Sequence, residues 1–573
     1  MFPLIKIRFL KKIKGGLSLS LLVIANILNA QQTETTLGFS SSNLPIVIIE
    51  THGQTIPYDD PRIVADMSVI FNGSGQRNNV TDPANNYSGK ISIEIRGQSS
   101  AGWDKKSYAL ETQNEDGSNR NVSILGLPEE NDWILYAPYY DRSLLRNTLT
   151  FHLAREMGWY ASRTVYCELV LDSAYQGIYV FMEKIKRDKN RVDIAKLKPD
   201  EISGDDLTGG YILRVDKEPW NDGFDSQFPP YEGSTDAVRY QYYYPKAREI
   251  VPEQEAYIKG FIYGFENLMN SGDFSNPVSG YARYLNVASF IDYVILNELS
   301  RNVDGYRLSA FLYKEKESNG GKLYAGPVWD YNFSYGNVGY YDSWLIEGWQ
   351  LRYFSDNAEF HLYDGFQMPF WWKLLFTDKS FTTQLAERWQ ALRQNILDLA
   401  NIYAFIDQVA DTTAEARVRN FEIWPGPGAT ELGGGWFPDD PRSSQINSYE
   451  DELILTEDWI RDRILWLDTN IPLLTSITDN APSGLPASFN LMQNYPNPFN
   501  PETKIRYQVA RQCRVTLTIY NALGKKVKEL INSEQNAGIY SISIDASSLA
   551  SGVYYYKLSA GSFVQVRKMI LMK

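Results

Sequence analysis

Asn302-Val-Asp-Gly-Tyr306 opens, and Gly326-Pro-Val-Trp-Asp-Tyr-Asn332 closes, the stretch on which the reading of this chain turns. Between them, Leu308–Lys314 and Lys322–Val328 have strand length and composition, and Gly320-Gly321 supplies the turn of a hairpin. A hairpin returns the end of its second strand beside the start of its first, and paired strands lie about 4.8 Å apart. Asp304 and Asp330 therefore converge at one end of one hairpin. Two carboxylates in a shared site repel each other unless a cation or a proton compensates. Mg²⁺ takes few protein carboxylates and completes its shell with phosphate and water oxygens. Phosphoryl transfer uses one acid near the acceptor hydroxyl and another on the metal. The alternative is that each Asp caps its own turn, and spacing alone leaves both open.

Outward from the hairpin, Lys90–Arg96 alternates, with Ile91, Ile93 and Ile95 on one face. Gly97–Gly102 is a small-residue turn that could face phosphate, with Arg96 at its start, and Lys105–Glu111 is the returning strand. Lys106 shares a face with Tyr108 and Leu110. If that face is internal, its ammonium needs an anionic partner and Lys105 is the solvated neighbour; otherwise Lys106 guards a sheet edge. Glu183 ends the apolar strand from Gly177 and could reach an inward lysine, while Lys186, Arg187 and Lys189 read as a solvated face. Asp141 to Met157 has helical spacing, with Asp141 as N-cap and Leu144, Leu145, Leu149 and Leu153 as the apolar stripe. Tyr166–Asp172 is a strand; Pro252–Met269 and Asn286–Leu299 are helices. Residues 378–470 are mostly helical, broken by a loop at Trp424–Pro441. Composition shifts near Ser476–Pro486. Beyond it Val515–Tyr520, Tyr540–Ile544 and Gly552–Leu558 are short alternating strands of a small β-sandwich.

Composition excludes several classes. With 56 Lys+Arg against 69 Asp+Glu the net charge is −13, which disfavours nucleic acid as a partner. Three His and two Cys (Cys167, Cys513) cannot build a His- or Cys-rich metal site, and a disulfide scaffold is excluded with them. Lys6, Arg8, Lys11, Lys12 and Lys14, the apolar run Leu17–Leu28 and then Ala30 have the layout of an export signal over residues 1–30. No other segment reaches membrane-spanning length, so no transmembrane span is expected after signal cleavage.

Arg96-Gly-Gln-Ser-Ser-Ala-Gly-Trp-Asp-Lys-Lys-Ser-Tyr108, Asn131-Asp-Trp-Ile-Leu-Tyr136, Asp141-Arg-Ser-Leu-Leu-Arg-Asn147, Gly177–Arg187 and Gly326–Asn332 resemble, in order, the CotH family of spore-coat-type atypical protein kinases. The resemblance runs from about Pro45 to Gly336, with a weaker helical continuation to about 470. It implies an α+β fold, a divergent protein-kinase-like domain with a β-rich N-terminal part and a helical C-terminal part, over residues 44–472. It also implies ATP with Mg²⁺ or Mn²⁺, and transfer of the γ-phosphate to Ser or Thr of exported proteins. Asp304 then matches the catalytic acid and Asp330 the metal-binding acid, with Asn332 beside it. Lys106, Glu183 and Arg96 fall on the nucleotide side. Two positions depart from the family pattern: Ser309 stands where Asn is common and Asn332 where Asp is frequent, each weakening a second metal site. A catalytically inactive kinase-fold surface protein is therefore the alternative, an adhesin or scaffold with the aromatic stretch Tyr340–Trp372 stacking on glycans. A glycosidase using Asp304 and Asp330 ranks last, since it gives Lys106 and Glu183 no role. Asn494-Tyr-Pro-Asn-Pro-Phe-Asn-Pro501, Val515–Gly524 and Gly552–Lys557 resemble a type IX secretion (type A) sorting domain over 487–573, after a linker at 473–486. That resemblance implies handling by the type IX secretion machinery and a secreted or surface-attached product.

Overall fold

Seven strands close a barrel: β1 (Ile46–Glu50), β2 (Ile63–Ile70), β3 (Tyr87–Arg96), β4 (Ser107–Gln113), β5 (Asp132–Tyr136), β6 (Thr164–Leu171) and β7 (Ala174–Glu183). This is a computed structural model, and it describes residues 38–217, 222–426, 442, 445–475, 489–492, 494, 497, 499–536, 538–561 and 563–572. The export signal at 1–30, most of the linker and most of the Trp424–Pro441 loop lie outside the described residues.

Around the barrel the order is β1-β2-β3-β4-β5-β7-β6, antiparallel throughout except where β6 returns to β1 in parallel. The period-2 pattern does its work here: Val47, Ile49, Ile91, Ile93, Leu110, Trp133, Leu135 and Phe181 fill the interior. Closure leaves β4 paired on both sides, by β3 and by β5, so Lys106 has no edge to guard.

A second sheet carries the hairpin. Its strands are β8 (Tyr211–Val215), β9 (Gly223–Asp225), β10 (Arg239–Tyr244), β11 (Ala310–Lys314) and β12 (Leu323–Ala325), in the order β9-β10-β8-β11-β12. β11 and β12 are the expected hairpin. The other three strands had no counterpart in the sequence reading.

Helix α1 (Arg146–Glu156) joins the barrel to the rest of the core. It starts five residues later than expected, and Asp141 is not its N-cap; instead Asp141 Oδ2 accepts the Arg146 N–H at 2.8 Å from upstream. Helices α2 (Pro252–Asn270) and α3 (Val287–Ser300) match expectation, and α3 is buried from Ser289 onward. Besides a single helical turn at Gly204–Leu207, the remaining α-helices among the described residues are α4 (Gln350–Asp356), α5 (Ala358–Tyr363), α6 (Trp371–Thr377), α7 (Lys379–Arg393), α8 (Leu399–Ile423) and α9 (Tyr449–Leu474). The C-terminal part is a β-sandwich of two sheets. β13 (Asn490–Leu491), β14 (Glu502–Val509) and β17 (Gly538–Asp545) form one; β15 (Cys513–Asn521), β16 (Lys526–Gln535), β18 (Gly552–Ala560) and β19 (Phe563–Leu571) form the other. Ile505, Val515, Leu517, Tyr556 and Leu558 lie between them. Among the described residues no helix is long and apolar enough to cross a membrane.

Candidate active site

Three chain segments meet at one edge of the five-stranded sheet. β8 runs antiparallel to β11 with Val215 opposite Ala310, and β11 runs antiparallel to β12 with Leu312 opposite Ala325. The exit of β8 (Asp216-Lys217), the approach to β11 (Asp304–Ser309) and the exit of β12 (Gly326–Asn332) therefore lie side by side. Hydrogen bonds fasten them: Asn302 Nδ2 donates to the Asp330 carbonyl at 3.3 Å, and the Val303 N–H to the Phe333 carbonyl at 3.4 Å. From α1, Asn147 Oδ1 accepts the Tyr331 N–H at 2.5 Å. Asp330 sits in the left-handed region (φ 63°), which Asp tolerates better than most residues, and these bonds hold it there.

Acids and cations are gathered together in the cleft. Burial raises the Asp330 carboxyl to about 7, and the charges of Asp304 and Asp216 push the same way; Arg96 and Lys217 oppose them. Asp304 is also raised, first by burial, against the pull of Arg307 and Lys217. Tyr340 faces both acids, and burial followed by the Asp304 charge pushes its phenol well up. Two further features point outward from the protein's own bonding. Asn332 Oδ1 is buried and has no hydrogen-bond donor among the described residues. The Arg96 guanidinium, stacked 5.3 Å from the Trp329 ring, makes no hydrogen bond or salt bridge among the described residues. An orphaned amide oxygen two residues from a carboxyl whose charged form is disfavoured by burial and by neighbouring acids fits a divalent ion. Among the described residues no group of three or more His, Cys, Asp or Glu is gathered for a metal.

Other expectations need correction. Lys105 is not the solvated neighbour: it is buried at 2% exposure, with Nζ donating to the Ile178 carbonyl and to Asn420 Oδ1 at 2.6 and 2.8 Å. Lys106 is half-buried, and its ammonium donates to the carbonyls of Ala101 and Trp103, closing the turn that follows β3. Among the described residues it forms no ion pair with Glu183, Asp304 or Asp330. The physical reason is register: β4 begins at Ser107, so the strand alternation does not extend to either lysine. Glu183 is fully buried and paired instead with Arg163, which donates from Nη1 at 2.7 Å and from its backbone N–H at 3.0 Å. Lys186 is no solvated residue either, being paired with Asp132 at 2.5 Å and Glu130 at 2.8 Å. The aromatic stretch Tyr340–Trp372 is largely core: Phe354, Phe360, Trp371 and Trp372 are buried.

The sequence reading missed Asp216, Lys217, Arg307 and Tyr340. Asp216-Lys217 ends a five-residue apolar-rich run, Tyr211–Val215, and an acid at a strand exit was the available signal. Arg307, three residues after Asp304, was visible only as a neighbour.

The chain was compared with known proteins. A family model described as CotH kinase protein matches residues 93–467. A second, described as secretion system C-terminal sorting domain, matches residues 493–572, which marks a secreted or cell-surface protein that engages the type IX secretion machinery. No curated protein matches the chain significantly.

Proposed function

The chain belongs to the CotH kinase protein family, and from that premise we propose that it is a secreted or surface-attached phosphotransferase, moving the ATP γ-phosphate to Ser or Thr hydroxyls of exported proteins on a divergent kinase-like framework. The observation that carries this reading is the Asp304–Asp330 pair: two acids on adjoining segments, with a third at Asp216, where burial first and then the neighbouring carboxylates lift Asp330 to about 7. Such an arrangement calls for a cation. Asp330 and the Asn332 amide oxygen would hold Mg²⁺ or Mn²⁺, which supplies neutralisation of phosphate charge. Arg96 and Lys217 would meet phosphate oxygens, Arg96 with a planar fork of donors that makes no hydrogen bond among the described residues. Lys106 acts through the 97–103 turn that it closes, beside Ser99, whose Oγ lies 3.5 Å from Lys217 Nζ.

In the transfer the acceptor oxygen forms a bond to the γ-phosphorus, the bond from that phosphorus to the bridging oxygen breaks, and ADP leaves. Asp304 orients the hydroxyl and receives its proton. Positioning and charge stabilisation do most of the work in this chemistry. The test is incubation of the purified protein with γ-labelled ATP, Mg²⁺ or Mn²⁺ and an acceptor protein. Label is expected to move, and Asp330→Ala and Asp304→Asn to abolish the movement. Absence of both transfer and nucleotide-dependent thermal stabilisation would favour an inactive surface scaffold.

A further inference from the structure

We propose that Arg307 is the positioning residue of this cleft: its guanidinium orients the Asp304 carboxylate and ties it to the segment that follows α5. The inference rests on the phosphotransfer reading and adds how its base is held.

Arg307 is 3% exposed. Three aromatic rings surround the guanidinium, those of Tyr341, Phe354 and Phe360, with centroids at 5.2, 5.2 and 5.3 Å. Its Nε donates to the Val303 carbonyl at 3.0 Å. Its Nη1 donates to Asp364 Oδ2 at 3.1 Å and to the Phe366 carbonyl at 3.0 Å. The fork is therefore fixed on one side and along its base. The remaining arm, Nη2, lies 3.7 Å from Asp304 Oδ1. That is ion-pair range but beyond a hydrogen bond, so the Asp304 oxygens are steered without being occupied. A base needs that combination, because a carboxylate locked in a bidentate pair has no lone pair to spare.

Asp364 shares the same cation and also accepts the Tyr341 hydroxyl at 2.5 Å. Arg307 thus divides its charge between two carboxylates. The other charged or titratable groups around Asp304 come from each neighbouring segment: Asp216 and Lys217 from the β8 exit, Asp330 from the β12 exit, and Tyr340 from the loop beyond. Removing Arg307 should make Asp304 hold its proton to higher pH. Removing the Asp364 charge should do the reverse. A clamp that merely supports the fold would make both substitutions harmful in the same direction.

The experiment uses the full chain, with dephosphorylated casein as acceptor, and follows kcat/KM against pH. Arg307→Gln is expected to move the acidic limb upward by roughly half a pH unit or more, and Asp364→Asn to move it downward. Arg307→Lys should restore most of the wild-type profile. Arg307→Gln should also lower kcat about tenfold while KM for ATP stays within about twofold, the pattern of a group acting on the reacting centre. The same opposite shifts are expected in the pH at which Mn²⁺ begins to raise the melting temperature, a readout that needs no transfer. Shifts in one direction for both variants, or none, would overturn the proposal. Where Arg307→Gln fails to fold, Asp364→Asn decides by the sign of its shift, since its amide oxygen still accepts from Arg307 and Tyr341. A wild type that never transfers phosphate defeats the phosphotransfer reading, and the Mn²⁺ midpoints then decide on Arg307 alone.

Discussion

Arg146 and the Asp304–Asp330 cleft both concentrate charge away from bulk water, Arg146 fully buried and the two acids partly exposed, yet they are built on opposite principles. Arg146 is fully buried, and every arm of its guanidinium is taken. Nη1 donates to Asp141 at 2.6 Å and to Ser143 Oγ at 2.9 Å; Nη2 donates to Glu452 at 2.6 Å and to Thr456 Oγ1 at 3.2 Å; Nε donates to the Ser334 carbonyl at 3.1 Å. The node sews α1, α9 and the loop after Asn332 into one body. Glu298 in α3 is similarly committed, accepting the Gln350 and Leu351 N–H groups at 2.8 Å and the Tyr306 hydroxyl at 3.0 Å. In the cleft, by contrast, Asn332 Oδ1 has no hydrogen-bond donor and the Arg96 guanidinium makes no hydrogen bond among the described residues. Apart from Glu452 Oε2, which has no partner among the described residues, the Arg146 node is compensated internally; the cleft leaves polar groups on both sides of its acids without internal partners.

Breaking the compensated node should have the largest effect on stability. Arg146→Met leaves Asp141 buried without its cation and Glu452 with Arg442 at 3.4 Å in its place, and is expected to cost about 3–5 kcal/mol in chemical denaturation. A loss much smaller than that would mean that the two regions do not differ in kind. The cleft should answer in the opposite sense. Asp330→Asn removes a charge that the fold opposes, so at pH 8 the melting temperature should hold or rise by a few degrees while transfer is lost. The pH dependence sharpens this. The folded state keeps the Asp330 proton to about 7, whereas the unfolded chain releases it near the ordinary carboxylate value of about 4. Between those values the folded state binds more protons, so this group's contribution to stability falls as pH rises. The melting temperature of wild type relative to Asp330→Asn should therefore decline across that window and level off above it. A flat difference would remove the electrostatic argument for a cation.

The same contrast explains what could be read from the sequence. The hairpin, its two flanking acids, the barrel strand with Ile91 and Ile93, and the sandwich strands all rest on a period of two and on turn glycines, which are local signals. Lys105 and Lys106 stand just ahead of a strand, where that period has not begun, and their roles were exchanged. Glu183 finds Arg163 across a neighbouring strand, a pairing set by register rather than by spacing. Arg239–Tyr244 carries aromatic residues on both faces and so shows no alternation; without β10 there was no sheet to place β8, and Asp216 at its exit went unread. The rings around Arg307 come from three separate segments and assemble only in the folded chain.

Lys105 tests the boundary between the two kinds of buried charge, and with the smallest expected effect. It has no carboxylate partner among the described residues, only the Ile178 carbonyl, Asn420 Oδ1 and the faces of Tyr179 and Trp424 at 4.8 and 5.9 Å. Burial holds its ammonium well below the ordinary lysine range. It nonetheless belongs to the structural class, because it seals the seam between β7 and α8, where Asn420 Oδ1 also accepts the Ile178 N–H at 3.0 Å. Lys105→Met should cost no more than about 1 kcal/mol at pH 7, since a good share of the interaction is repaid by no longer burying a cation. Here the folded state releases the proton first, so between the folded and unfolded pKa values stability rises with pH. The deficit of Lys105→Met relative to wild type should accordingly grow as pH approaches 10, with phosphate transfer unchanged at every pH. A loss of transfer would move Lys105 out of the seam and into the cleft's chemistry, and the division between committed and uncommitted charge would have to be redrawn around it.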